Sequence, residues 1–187
     1  MLLIRILPAF LATMALWQYA GLAKLYHACL AVPLDVLLPA FDPSGLVKGV
    51  GAEGDDLFVR ILYQGRRLGL SLTAQDITSN TVLLIALFLS SPFTPSLRRH
   101  LISLGGSLGI LFIVHVVTVA ANVQFALMAN PEITTSPAGI GFLAGVVVRY
   151  RQFYIEYGMY LFVIVLWSPY FIASLARGRG SEGTPAG

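Results

Sequence analysis

Few side chains in this sequence could do chemistry, and their spacing limits what that chemistry would be. His115 lies within a long apolar run, LISLGGSLGILFIVHVVTVAANVQFALM (101–128), which contains no Asp, Glu, Lys or Arg. An ionisable group in such a run is a candidate functional residue, because hydrocarbon penalises it unless it is paired or used. His115, Thr118 and Asn122 recur near one helical face, with Gln124 close by. A neutral imidazole there could ligate the metal of a haem or a chlorophyll-type pigment, which makes His115 the candidate cofactor ligand. The plainer alternative is a hydrogen bond to a neighbouring helix.

Other reactive residues are less well placed. Cys29 is the single cysteine, so an internal disulfide and a cysteine-only metal site are both excluded. A cysteine nucleophile needs a base within reach. His27, two residues away, would lie on a different helical face. Glu53, Asp55 and Asp56 are acidic but lack the alternating spacing and distal Glu of a calcium loop, so a solvated turn is the better reading. No phosphate-binding loop, dinucleotide fingerprint, HExxH or nucleophile elbow occurs. The residues therefore point to no catalytic constellation and no metal site. Gly105 and Gly109 form one GxxxG pair, and Gly141 and Gly145 another. Small residues at this spacing let helix backbones approach closely in lipid. They are candidate partner-docking faces, with packing inside the chain's own bundle as the alternative.

These residues sit in a chain of membrane character. It has 187 residues, 57% hydrophobic and 11% charged, against about 25% charged in an average soluble domain. Its Lys and Arg residues are dispersed, which argues against a nucleic-acid surface. A helix needs roughly 20 apolar residues to cross hydrocarbon, and 101–128 exceeds that.

Around this central span the chain divides into segments. Residues 1–24 form a first apolar span after a short basic start at Arg5. A cleaved signal peptide would look similar, but the apolar character continues past Ala23. Residues 25–41 are apolar yet contain Pro33 and Pro39, which should interrupt a second full span. An interfacial helix is expected there. The segment 42–78 carries nine charged residues and alternates Leu57, Val59 and Ile61 with Phe58, Arg60 and Leu62. A second alternating run contains Leu68, Leu70 and Leu72, with Gln64-Gly65 between the two. This pattern predicts a β-hairpin, with a further strand near Gly45–Val50 as an option.

Residues 79–96 form a second span, and Arg98-Arg99-His100 makes a basic loop into the central one. Residues 129–155 are expected to be an outer loop and interfacial helix, because Arg149, Arg151 and Glu156 are too polar for the bilayer centre. The fourth span is 156–176, and 177–187 has the composition of a disordered tail. The expected fold is thus a mostly α membrane protein with about four transmembrane helices. A small extracytoplasmic β-hairpin element lies between the first two. Basic residues stay on the cytoplasmic side. Arg5, Arg98-Arg99 and Arg177/Arg179 put both termini there, and Arg149/Arg151 on the outer side run against the rule.

The order of parts resembles the small membrane proteins associated with the exosortase H sorting system of bacteria. The resemblance rests on ALWQYAGLAKLYHACLAVPLDVLL (15–38), GAEGDDLFVRI (51–61), DITSNTVLLIALFLSSP (76–92), the Arg98-Arg99 turn and a long span with a central His. It implies a bacterial inner-membrane protein that accompanies a sorting peptidase without being one. The expected function is a non-catalytic accessory subunit docked to a larger membrane complex and surrounded by lipid. The alternative is an accessory subunit of a photosynthetic or respiratory complex, touching pigment, haem or lipid.

Overall fold

The structure is a computed structural model, and it describes residues 2–42, 45–54, 56–91, 96–129 and 141–180. Helix α1 (Leu2–Tyr19) is followed by α2 (Leu22–Phe41), then strands β1 (Val47–Glu53), β2 (Asp56–Tyr63) and β3 (Arg66–Thr73). The short α3 (Ala74–Thr78) leads into α4 (Asn80–Ser90) and the long α5 (Leu97–Ala129). Helix α6 (Gly141–Phe153), one π-helical turn (Tyr154–Gly158) and α7 (Met159–Gly180) are the last described elements. The protein is mostly helical, and among the described residues three helices are long and apolar enough to cross a membrane: Leu22–Ala40, Leu97–Ala129 and Gly145–Ala176.

Helices α1, α4, α5 and α7 run alternately up and down. Ile6 of α1 packs with Leu84, Leu87 and Phe88 of α4, whereas Trp17 packs with Val82 at the opposite end. His100 at the start of α5 touches Phe88 and Tyr170, and His115 reaches Asn80 at the start of α4. One end of the bundle therefore carries the start of α5 and the other carries the sheet. The 33 residues of α5 extend for about 50 Å, well beyond the roughly 30 Å of hydrocarbon. Its last third, through Val119, Val123 and Leu127, joins Leu30, Leu34 and Leu38 of α2 in a core with the sheet.

The sheet is antiparallel, in the order β1-β2-β3. Leu57, Val59 and Ile61 face the helices, paired with Leu72, Leu70 and Leu68 of β3. The β2–β3 hairpin turns at Gln64-Gly65, both with positive φ (48° and 75°), as a two-residue turn matched to strand twist requires. The segment 42–78 holds this hairpin and the third strand β1, whose register shifts at Val47/Gly49.

Three expectations need correction. The first helix ends at Tyr19, before residue 24, because Gly21 adopts a left-handed conformation (φ 73°) that breaks the helix. Pro33 and Pro39 do not interrupt α2, which runs through both. Most helical stability in proteins comes from packing one face, and Leu30, Leu34 and Leu38 supply that face against the sheet. Finally, α6 continues through the π turn into α7, so 141–180 is helical throughout. The expected interfacial helix within 129–155 and the fourth span at 156–176 are parts of this one rod. Residues 130–140, the 92–95 part of the second span and the tail 181–187 lie outside the described residues.

Candidate functional site

The polar residues that the sequence scatters over six helical segments meet just below the sheet. His115 is fully buried. Its Nε2 lies 2.8 Å from Asn80 Oδ1 and its Nδ1 lies 2.7 Å from the Tyr26 hydroxyl. Asn80 Nδ2 donates to the Met159 carbonyl at 3.1 Å and to the Tyr154 hydroxyl at 3.2 Å. Tyr154 in turn donates to the Ile77 carbonyl at 3.1 Å.

These contacts fix the direction of every proton. The Met159 carbonyl can only accept, so the amide nitrogen of Asn80 must face it and Oδ1 must face His115. Nε2 of His115 therefore carries the hydrogen, and Nδ1 accepts from Tyr26. The result is a neutral imidazole with both nitrogens used, in a chain that ends on two backbone carbonyls. One of these, Ile77, stands at the break between α3 and α4, where a helix end leaves carbonyls without intrahelical donors. The π turn begins at Tyr154, and Gly158 makes room beside its ring: a Cβ at Gly158 would lie 3.2 Å from Tyr154 Cδ2.

A second histidine lines the same junction. His27 Nε2 lies 2.9 Å from Thr78 Oγ1, which itself donates to the Ala74 carbonyl. The Tyr26 ring packs edge-on against Phe112 and His115 and tilted against Trp17. Further along α5, Thr118 Oγ1 meets the Tyr150 hydroxyl at 2.9 Å. Asn122 Oδ1 accepts from Arg151 Nε at 2.7 Å, and the Arg151 guanidinium sits 4.4 Å above the Phe125 ring. Those contacts explain how α6 carries Arg151 while packed on an apolar helix. At the other end of the bundle, His100 Nδ1 hydrogen-bonds the Tyr170 hydroxyl, and Trp167 Nε1 donates to Ser91 Oγ.

The structure sorts the sequence candidates clearly. His115, Thr118 and Asn122 do share a face: His115 reaches α2 and α4, whereas Thr118 and Asn122 both reach α6. Ligation of a haem or pigment metal by His115 would require it to release Tyr26 or Asn80. Cys29 is exposed while His27 is buried, so the two point apart. Asp56 lies at the β1–β2 turn and accepts from Ser71 Oγ; Asp55 lies outside the described residues. Among the described residues, no cluster of His, Cys, Asp or Glu could hold a metal ion.

Gly105, Gly109 and Gly145 are exposed, and a Cβ added at any of them would meet nothing within 4 Å. The first pair thus forms an open notch on the outer face of α5, flanked by exposed Leu101, Ile102, Ile110 and Ile113. The surroundings of Gly141 lie outside the described ones.

Sequence reasoning missed Tyr26, Asn80, Tyr154 and Met159. By local sequence alone Asn80 reads as a candidate helix cap, and Tyr154 as part of an interfacial aromatic cluster with Tyr150, Phe153, Tyr157 and Tyr160. A signal was present in part, since His115 needed polar partners, but nothing local named them. No protein-family model matches the chain, and neither a curated protein nor a solved structure matches it either.

Proposed function

We propose that this chain is a four-span integral membrane protein of the bacterial inner membrane, acting as a non-catalytic accessory subunit of a larger membrane complex. In this reading α1, α3–α4, α5 and α6–α7 each cross once. Both termini and the Arg98-Arg99 turn are cytoplasmic, and the sheet stands outside. The alternating directions of the helices support this arrangement, as does the separation of Arg98-Arg99 from the sheet along α5. Helix α2 carries one apolar face against the sheet and an opposite stripe of exposed Leu22, Leu25, Val32 and Val36. A sheet with open edges and charged side chains does not belong in hydrocarbon, so α2 lies at the outer boundary, its exposed stripe toward lipid. An exosortase-type sorting enzyme is the partner class that the sequence resemblance favours.

The observation that carries the docking role is the open notch at Gly105 and Gly109. Small residues at a GxxxG spacing bring a second helix within close backbone contact, and among the described residues no helix fills the notch. The buried histidine junction supports the same reading, because it spends its polar groups on holding helices together. Purification from native membranes in a mild detergent should recover a stoichiometric membrane partner of different sequence. Gly105→Leu with Gly109→Leu should abolish that recovery while the chain's own abundance stays the same. Recovery of this polypeptide alone, or a partner that survives both substitutions, would overturn the assignment.

A further inference from the structure

The two edges of the sheet are finished differently. On β1 two N–H groups have side-chain carboxylates as acceptors: Val47 N donates to Asp42 Oδ2 and Val50 N to Asp35 Oδ1, both at 2.7 Å. Carboxylates placed this way blunt an edge against further pairing. On β3 no strand among the described residues pairs with the outer edge, which is eight residues long. Its apolar side is also unfinished, since Leu68 is 40% exposed and Leu70 and Leu72 are only half-buried. An open, apolar edge of this length is a site of strand association.

We propose that β3 pairs antiparallel with β3 of a second copy of this chain, joining two sheets into one of six strands. The register follows from the hairpin. A two-residue turn at Gln64-Gly65 makes Tyr63 and Arg66 a hydrogen-bonded pair. Hydrogen-bonded and non-hydrogen-bonded pairs then alternate along the ladder. The N–H and C=O groups that point to the free edge are therefore those of Arg67, Gly69, Ser71 and Thr73. A new strand must pair these with one another, which also keeps like faces together.

Centring the two-fold axis on Leu70 satisfies both conditions. Leu70 then opposes Leu70, and Leu68 opposes Leu72, so the apolar ridge runs unbroken across both copies. Arg67 of each copy opposes Thr73 of the other, whose neighbour on β2 is Asp56. The strand begins with Arg66-Arg67 and ends beside that acid, so antiparallel self-pairing sets opposite charges together twice. Matched faces leave α2 and α5 of both copies on the same side of the joined sheet.

Cross-linking in native membranes tests the register. In a Cys29→Ser background, Leu70→Cys should form a disulfide-linked dimer on mild oxidation, because the two Cα atoms of a non-hydrogen-bonded pair lie about 4.5 Å apart. Arg66→Cys and Thr73→Cys should each stay monomeric. Two copies of residue 73 would lie about 20 Å apart at 3.4 Å per residue. Co-expressed Arg67→Cys and Thr73→Cys chains should link to each other, a test that leaves the leucines intact. Arg67→Asp should lower the dimer fraction at least several-fold, and adding Asp56→Arg should restore it. Equal linking at all positions, no linking at residue 70 or between 67 and 73, or a link from residue 70 to a different polypeptide would overturn the proposal.

Discussion

Asn80 and His115 hold the membrane-facing half of this protein together: Asn80 Oδ1 accepts from His115 Nε2 at 2.8 Å, inside the bundle. Through this pair α4 and α5 are tied to α2 by Tyr26 and to α7 by Met159. Removing a group from the chain strands the others, and an unsatisfied buried donor or acceptor costs about 1–3 kcal/mol. Replacing both members is milder than replacing one, because neither is then left alone.

Stability of the His115 junction should follow that logic. Asn80→Leu leaves the His115 N–H and the Met159 and Tyr154 groups without their partner, and should cost about 2–3 kcal/mol. Tyr26→Phe removes the donor to His115 Nδ1 and should cost about 1 kcal/mol. The double variant Asn80→Leu/His115→Leu should be less destabilised than the sum of the singles, by about 1 kcal/mol. Equilibrium unfolding in mixed micelles measures all three, and strict additivity would count against a continuous chain of hydrogen bonds.

Asp35 and Arg60 should behave unequally although they form an ion pair at 3.0 Å. Both side chains are substantially exposed (46% and 60%), and exposed pairs contribute about 0–1 kcal/mol. Arg60→Gln should therefore change stability little. Asp35→Ala also removes the acceptor of the Val50 N–H on the β1 edge, and should cost about 1 kcal/mol more than Arg60→Gln. Hydrogen exchange at the Val50 amide should speed up in Asp35→Ala and stay slow in Arg60→Gln.

Gly69 should be intolerant of any side chain while Phe58 is present. A Cβ at Gly69 would run into the Phe58 ring, which lies across the strand on the outer face of the sheet. Gly69→Ala should lower the melting temperature by several degrees, and Phe58→Ala added to it should recover most of the loss. If Gly69→Ala alone is neutral, the ring does not occupy that position.

What the sequence determined by itself was the part of the fold written in local pattern. The apolar length of 101–128, the alternation of Leu57, Val59 and Ile61, and a turn pair at Gln64-Gly65 are each enough to name a helix or a hairpin, because periodicity acts over a few residues. The same logic misjudged Pro33 and Pro39, whose local penalty is offset by packing of Leu30, Leu34 and Leu38 on a sheet that lies later in the chain. It also divided 141–180 at its charges, although Arg151 finds Asn122 and Phe125 on α5. The partners of the junction lie 35, 74 and 89 positions apart. Only the tertiary structure could decide which hydroxyl and which amide meet His115, which glycines stay uncovered, and which sheet edge is left open. Those outcomes depend on where whole helices cross, and helix crossings are set by the sum of many side-chain contacts that no short stretch of sequence contains.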